Sequence, residues 1–321
     1  MQSFQLLSEK FGLYFEKWHF PEEPATLYQP NEYFLNIGGK RIRPVLCMMG
    51  NELFDEMRSD SLHVGAAIEL FHNFTLIHDD IMDKAPLRRG METVHSRFGT
   101  NTAILAGDVM LVAAYEELNK ISLEYLRPVL TLFNRTAKEV CEGQQYDMDY
   151  ESRKQVSQAE YLKMIELKTS VAIAASLQAG AIIGGSGERN QHLVYEFGRK
   201  LGIAFQVQDD YLDAFGDPDK FGKQVGGDIL SNKKTFLLIH AMETCNPSQL
   251  NELNALMEGN SENKVDRMLQ LYRDCGVDEW ALELKNQYLN EAFQHLEDVA
   301  VLSRRKEPLK ELASFLVSRD H

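Results

Sequence analysis

Two acidic clusters dominate the chemistry available to this chain. Asp79-Asp80-Ile81-Met82-Asp83 and Asp209-Asp210-Tyr211-Leu212-Asp213 repeat the pattern Asp-Asp-x-x-Asp, and each ends a long apolar stretch with helical spacing. Residues i and i+4 share a helix face, so Asp79 and Asp83 point one way, as do Asp209 and Asp213. Like charges at that spacing destabilise a bare helix. These carboxylates therefore call for hard divalent cations between them. Magnesium takes only one or two protein carboxylates and completes its shell with water and phosphate oxygens. The arrangement suits several metal ions gripping a polyphosphate better than a closed structural metal site.

Cations gather around both clusters. On a helical wheel His72, Asp79 and Asp83 fall within roughly 40° of one another, so one face carries a histidine and then an acidic site. A loop with Leu87-Arg88-Arg89-Gly90 follows, and the forked donors of arginine match phosphate oxygens. In the second cluster Gln206, Asp209 or Asp210, and Asp213 share a face. The turn-rich loop Gly216-Asp217-Pro218-Asp219-Lys220-Phe221-Gly222-Lys223 comes next, then Asp228 and Lys233-Lys234. Upstream, Gly38-Gly39-Lys40-Arg41-Ile42-Arg43-Pro44 is a glycine turn leading into cations, without the Gly-x-x-x-x-Gly-Lys-Ser/Thr spacing of a nucleotide P-loop. Singly, each part has an ordinary reading: a solvated helix end, a surface arginine pair, a core histidine. Their joint occurrence is too coordinated for solvated surface.

The elements that must position these residues are helices. Ala66–Asp83, Asn101–Asn119, Ala159–Gly180, Gln191–Phe215, Lys233–Thr244 and Lys285–Val301 carry apolar residues at three-and-four spacing. Alternating Val, Ile and Thr runs between turn signals are missing, so no strands are expected. The breaks are local, at Gly38-Gly39, Lys84–Gly90, Gly184–Gly187, Gly216–Gly227 and the polar stretch Cys245–Asn263. None resembles an interdomain linker, and one all-helical domain is expected. Asn101–Ala114 is apolar nearly all round and should be buried on most sides, at the domain centre or a subunit interface.

Bulk properties narrow the classes. At 321 residues, 44% hydrophobic and 26% charged, the composition is that of a globular protein large enough for a substantial core. A formal charge of -14 argues against a nucleic-acid footprint, which wants a basic face. Cys47, Cys141, Cys245 and Cys275 show no metal spacing and read as buried, reduced thiols. No apolar run is long enough to span a membrane, and Met1–Phe20 lacks a signal-peptide core. A cytoplasmic location is expected.

In order and spacing, the motifs resemble those of the trans-isoprenyl diphosphate synthases, which make farnesyl, geranylgeranyl and longer polyprenyl diphosphates. The likeness runs from Gly38–Pro44 through Leu76–Asp83, Leu87–Gly90, Lys168-Thr169 and Phe205–Asp213 to Gly227-Asp228-Ile229 and Lys233-Lys234-Thr235, most of the chain. It implies an all-α isoprenoid synthase fold, with the two acidic helices facing across the mouth of a central cavity. The implied reaction is head-to-tail condensation of isopentenyl diphosphate onto an allylic diphosphate, in a homodimer. By the same resemblance, Asp79 and Asp83 bind magnesium from one wall and Asp209 from the other, with three ions per site. Asp80, Asp210 and Asp213 assist, and Gln144 and Asp147 stand behind them. Arg88, Lys168, Thr169, Gln206, Lys223 and Lys233 hold the allylic diphosphate, and Arg88, Lys168, Thr169 and Gln206 act on the reacting centre. Lys40, Arg43, His72 and Arg89 hold isopentenyl diphosphate, with Phe205 against its hydrocarbon part.

Product length follows from the residues before the first motif. In the family, bulky side chains there form the cavity floor. Phe74 lies five positions before Asp79, flanked by Thr75 and, a turn below, Phe71, and no insertion interrupts Asp79–Asp83. That pattern resembles short-chain synthases making the C20 product, with C15 as the alternative. Competing classes fit less well. A class I terpene cyclase mixes Asn, Ser and Glu into its second metal site, a regulatory subunit erodes the acidic motifs, and a calcium loop needs Asp-x-Asp-x-Asp-Gly.

Overall fold

Three-and-four spacing becomes helix almost everywhere in the computed structural model, which describes residues 2–216, 226–259 and 263–318. The helices are α1 Phe4–Phe15, α2 Ala25–Asn36, α3 Ile42–Phe54, α4 Asp60–Met82, α5 Val94–Phe98, α6 Thr100–Leu118, α7 Leu123–Ser152 and α8 Gln158–Ile165. After a π-helical turn at Glu166–Ser170 come α9 Val171–Ile183, α10 Glu188–Phe215, α11 Gly227–Leu230, α12 Phe236–Thr244, α13 Pro247–Glu258, α14 Lys264–Asp274, α15 Val277–Asp298 and α16 Ser303–Ser318. The fold is all-α. Among the described residues, no helix is long and apolar enough to cross a membrane.

Three local expectations need correction. A minimal antiparallel hairpin forms where no strand was expected: β1 Leu87–Arg88 pairs with β2 Met91–Glu92. Its turn residues Arg89 and Gly90 both have positive φ, 52° and 78°. That geometry matches the twist of a two-residue hairpin, which no hydrophobic alternation announces. The polar stretch Cys245–Asn263 contains α13, nucleated by an Asn246/Gln249 capping box with Pro247 in the first turn. It escaped notice because only Leu253 is fully buried on it. Finally, the thiols are not uniformly buried. Cys47 is, Cys141 is exposed, and Cys245 and Cys275 are half-buried and face one another.

Chain contacts separate two compact units: Met1–Arg135 with Ala175–Val194 and Ala300–Pro308, and Thr136–Ala174 with Tyr195–Val299 and Leu309–His321. In the first, α4 and α6 pack extensively against each other. The backbones of α3 and α9 nearly touch: a Cβ on Gly180 would lie 1.9 Å from the Cys47 carbonyl oxygen, and one on Gly50 2.3 Å from that of Leu177. Only glycine permits such an approach. A buried carboxylate ties α1, α4 and α6 together. Glu117 takes hydrogen bonds from the Tyr14 hydroxyl at 2.8 Å and the Trp18 indole at 2.8 Å, and it pairs with His63 at 2.9 Å and Lys120 at 2.5 Å. A buried charge is tolerated when it is surrounded by donors in this way.

α6 is not enclosed on all sides within this chain. Ala103, Ala106, Met110, Ala113 and Ala114 are buried, whereas Ile104, Leu105 and Val112 are 42%, 56% and 58% exposed. In the second unit, Leu237, Leu238, Met268, Leu271 and Tyr272 form a core with Ala214 and Ile229. A neighbouring cluster joins Tyr161, Met164, Ile165, Val207 and Phe236.

Candidate active site

In the first unit, α4 delivers Asp79, Asp80 and Asp83 at its C-terminal end, where Asp83 is the cap and its N–H bonds the Asp79 carbonyl at 2.8 Å. The partial negative charge of a helix C-terminus disfavours anions there. Carboxylates in that place have the chemistry to attract a cation. They do not share one role. Asp83 is exposed and Asp79 half-buried, but Asp80 is 2% exposed and gripped by Arg88. Arg88 Nε donates to both Asp80 oxygens at 3.0 and 2.9 Å and Nη2 donates to Oδ1 at 2.8 Å. The hairpin makes this possible, because Arg88 lies on β1 and can fold back on the helix. Arg89, in the left-handed turn, goes elsewhere, and its guanidinium packs against Gly39.

Gly39 belongs to the loop that starts α3, and there a cluster of cationic side chains assembles. Arg43 Nη1 lies 3.0 Å from His72 Nε2. Burial pulls the His72 pKa well below its ordinary value, reinforced by Arg43, Arg89, Arg88 and Arg41, so the ring is neutral. Arginine only donates, so Nε2 accepts and the proton sits on Nδ1. Burial also lowers the pKa of Arg43 and of Arg89, each with another arginine contributing. Arg43 Nε is buried with no protein partner. Clustered guanidiniums with an unsatisfied buried donor are what an incoming diphosphate would relieve. Arg43, His72, Arg89 and the Gly39-Lys40 loop thus come together, with Lys40 exposed.

Below, the length-gate candidates join an aromatic cluster. Phe71 lies tilted against Phe74 at 5.8 Å and edge-on to Phe133 at 5.3 Å, which meets Tyr115 at 5.4 Å, and Phe74 meets His78 at 4.8 Å. Thr75 is turned to its own helix, its hydroxyl bonding the His72 carbonyl at 2.8 Å. Phe133 and Tyr115 were not singled out in the sequence, because they lie on other helices, α7 and α6.

In the second unit α10 delivers Asp209, Asp210 and Asp213. Asp210 is 4% exposed and takes the Tyr161 hydroxyl at 2.9 Å on one oxygen and Gln206 Nε2 at 2.9 Å on the other. Burial, then the charge of Asp228, pushes its pKa up to about 7. Asp213 accepts the Asp228 N–H at 2.9 Å and its carbonyl takes the Gly226 N–H at 2.6 Å, which fixes the start of α11. Asp209 is half-buried. Lys233 follows α11 and, with Asp210, Asp213 and Asp228, lines a small cleft floored by Leu237, Met268 and Tyr272. Phe205 lies half-buried on the same helix, one position before Gln206.

Lys168 and Thr169 sit in the π-helical turn, the kind of irregularity that recurs at functional sites. The turn is wedged between two glycines. A Cβ on Gly143 of α7 would lie 2.3 Å from the Lys168 backbone nitrogen, and one on Gly202 of α10 2.7 Å from the Ser170 Cα. Lys168 Nζ reaches Asp147 at 2.5 Å, and Gln144 is buried one turn before it. Lys223, with the rest of its lysine loop, lies outside the described residues. Tyr161 is the partner the sequence reading missed. Its signal was the seven-residue spacing to Lys168, which a wheel places on nearly the same face.

Among the described residues no three His, Cys, Asp or Glu side chains converge as a ready-made metal nest. The chemistry of the donors still fits a hard ion, which needs few protein ligands when phosphate and water supply the rest.

The chain is similar to known proteins along most of its length. The polyprenyl synthetase family pattern matches residues 24–275. A geranylgeranyl pyrophosphate synthase of Geoglobus acetivorans is 39% identical over 94% of this chain and 93% of its own. A geranylgeranyl diphosphate synthase of Methanosarcina mazei is 36% identical over 93% and 91%. A crystal structure of a geranylgeranyl pyrophosphate synthase superimposes with a TM-score of 0.94 at 42% identity, covering 99% of each chain.

Proposed function

The chain belongs to the polyprenyl synthetase family, and on that premise we propose that it condenses isopentenyl diphosphate with allylic diphosphates to give geranylgeranyl diphosphate. The observation that carries this reading is the neutral His72 bound to Arg43, beside Arg89 and an unsatisfied Arg43 Nε, on the helix that ends in Asp79 and Asp83. His72 and Asp79 are seven residues apart, about 10 Å along the axis. One helix thus offers a diphosphate pocket and a metal site at substrate spacing. The C20 product is favoured over C15 by the names of the relatives at 39% and 36% identity.

Magnesium is the fitting ion. Asp79, Asp83 and Asp209 would hold it, with Asp80, Asp210 and Asp213 behind them, and three ions match the two acidic clusters. When bound it neutralises charge on the leaving diphosphate. The protein's own groups do the rest. Arg88, Lys168 and Lys233 hold the allylic diphosphate and stabilise the charge that grows as its C–O bond breaks. The Thr169 hydroxyl and the Gln206 side-chain oxygen face the allylic cation as dipoles. Arg43, His72, Arg89 and Lys40 hold isopentenyl diphosphate, and Phe205 lies against its hydrocarbon part. The isopentenyl double bond attacks the allylic carbon, a C–C bond forms, and the departing diphosphate accepts the proton that is lost. Holding both substrates in attack geometry contributes much of the acceleration.

The chain acts as a single synthase domain in the cytoplasm, and it pairs with a second copy. Ile104, Leu105, Val112 and Tyr115 form an exposed apolar stripe on α6, larger than isolated surface residues and suited to a subunit interface. The deciding experiment incubates the protein with magnesium, labelled isopentenyl diphosphate and a C5, C10 or C15 allylic diphosphate, then sizes the products. Absence of condensation with every partner sinks the reading, and products ending at C15 sink the geranylgeranyl assignment.

A further inference from the structure

We propose that Glu69 is a positioning residue that sets the isopentenyl diphosphate pocket through Arg41. The inference rests on the reading of Arg43, His72 and Arg89 as that pocket. Glu69 lies mid-helix on α4, 4% exposed, where an ionised carboxylate survives only if it is paired. Its partner is the guanidinium of Arg41, which binds it through Nη1. Asn73 fixes the carboxylate from the next turn, donating Nδ2 to the Glu69 carbonyl at 2.7 Å and to Oε1 at 3.0 Å. Arg41 is also anchored at its other end, donating Nη2 to the Leu35 carbonyl at 3.1 Å and lying 5.1 Å over the Phe15 ring.

Arg41 is not an ordinary helix-start residue. Its backbone is left-handed, with φ 48°, a conformation that non-glycine residues keep only when their surroundings hold them there. That turn directs the chain from Gly38-Gly39 into α3 and so aims Arg43, two residues on, at α4. Glu69 and His72 are spaced i, i+3 and share a face of α4. Two rungs result: Arg41 on Glu69 and Arg43 on His72. Breaking the first removes the buried ion pair that, with the Leu35 and Phe15 contacts, holds the left-handed turn placing the second. The Glu69 charge also acts on Arg43 and Arg89 and offsets the repulsion among the arginines. A carboxylate here repels a diphosphate, so its role is placement and not contact with substrate.

The test is steady-state kinetics on wild type, Glu69→Ala, Arg41→Ala and the double variant, varying each substrate at saturation of the other. Glu69→Ala and Arg41→Ala should each raise KM for isopentenyl diphosphate about tenfold or more, while KM for the allylic diphosphate stays within about twofold. The double variant should be no worse than the poorer single one, because both remove one linkage. If either alanine variant fails to fold, Glu69→Gln and Arg41→Lys carry the same comparison with smaller expected effects. An unchanged isopentenyl KM, an equal rise in both KM values, or multiplied losses in the double variant overturns the proposal. Wild type that does not condense at all refutes the pocket's assignment instead, so the two failures are distinguishable.

Discussion

Arg88 clamps both oxygens of the buried Asp80, with Nε and Nη2 contacts of 2.8–3.0 Å. The middle aspartate of the first motif is thus held by an arginine from the adjacent hairpin, and the hairpin is held to the aspartate-bearing end of α4. Motif and arginine form one unit.

Arg88→Lys keeps the charge and loses the fork. The allylic kcat/KM should fall about 10- to 100-fold, in line with about 1.5–3 kcal/mol for a charge-assisted bond. Asp80→Asn leaves Arg88 facing a neutral amide and should cost about 3–5 kcal/mol of stability, the scale for breaking a buried pair. Denaturant unfolding of both variants checks the split. Equal stability losses would show that the clamp is structural alone.

Asp210 carries a pKa raised to about 7, above the ordinary value near 3.9. The folded state therefore binds this proton more tightly than the unfolded one. Its effect is neutral below about pH 4 and increasingly destabilising as pH rises toward 7. Asp210→Asn should remove that slope and stabilise the protein at neutral pH by a few kcal/mol, about 1.4 per pKa unit. Urea unfolding from pH 4 to 8 in the presence of a chelator reads it, and an unaltered slope in the variant refutes the assignment.

Glu117 behaves oppositely. Burial pushes its carboxyl up, but hydrogen bonds from Lys120, His63 and Tyr14 outweigh this and hold it below the usual carboxylate range. Its contribution is present above the unfolded pKa and is lost as pH falls through the folded one. Glu117→Gln should lower stability by about 1–3 kcal/mol, because a converging donor loses its acceptor. Kinetic constants per folded molecule should not change.

Gly143 gives the π-helical turn its room. A methyl there would meet the Lys168 nitrogen at 2.3 Å, so Gly143→Ala must displace Lys168 and Thr169. Overpacking of this kind costs about 1–3 kcal/mol, and kcat should fall at least about tenfold, since misplacement by an ångström has that scale of effect. Normal kcat with intact folding would separate the turn from the chemistry.

Phe74 meets His78 edge-on and Phe71 at a tilt, and Phe71 in turn meets Phe133 edge-on. If this cluster floors the product cavity, Phe74→Ala should lengthen the product beyond C20, and Phe74→Ala/Phe133→Ala should lengthen it further. Chromatographic sizing of the products decides, and unchanged length in both variants removes the aromatic cluster from length control.

The helical fold was legible because apolar periodicity reports which face of a segment is buried, and Ala66–Asp83 and Gln191–Phe215 show it over many turns. The Arg88–Arg89 hairpin and α13 were not, since each rests on backbone dihedrals or a cap and buries little. α6 shows a further limit. Asn101–Ala114 is apolar all round, yet its outward side chains are exposed within this chain, because periodicity does not distinguish a core from a subunit interface.

For the site, sequence alone determined the inventory: two acidic clusters on helix ends, the cations between them, and Lys168 with Thr169. Spacing of three, four and seven residues fixes which side chains share a face, and chemistry follows from their types. What only the tertiary structure decided is the partner of each group. Asp80 turns to Arg88 and Asp210 to Tyr161 and Gln206, whereas Asp83 remains exposed. Glu69 and Arg41, plain charges in the sequence, become a buried rung beneath Arg43 and His72. The physical reason is that helix periodicity gives a side chain's direction, whereas its pKa and role depend on what another element packs against it.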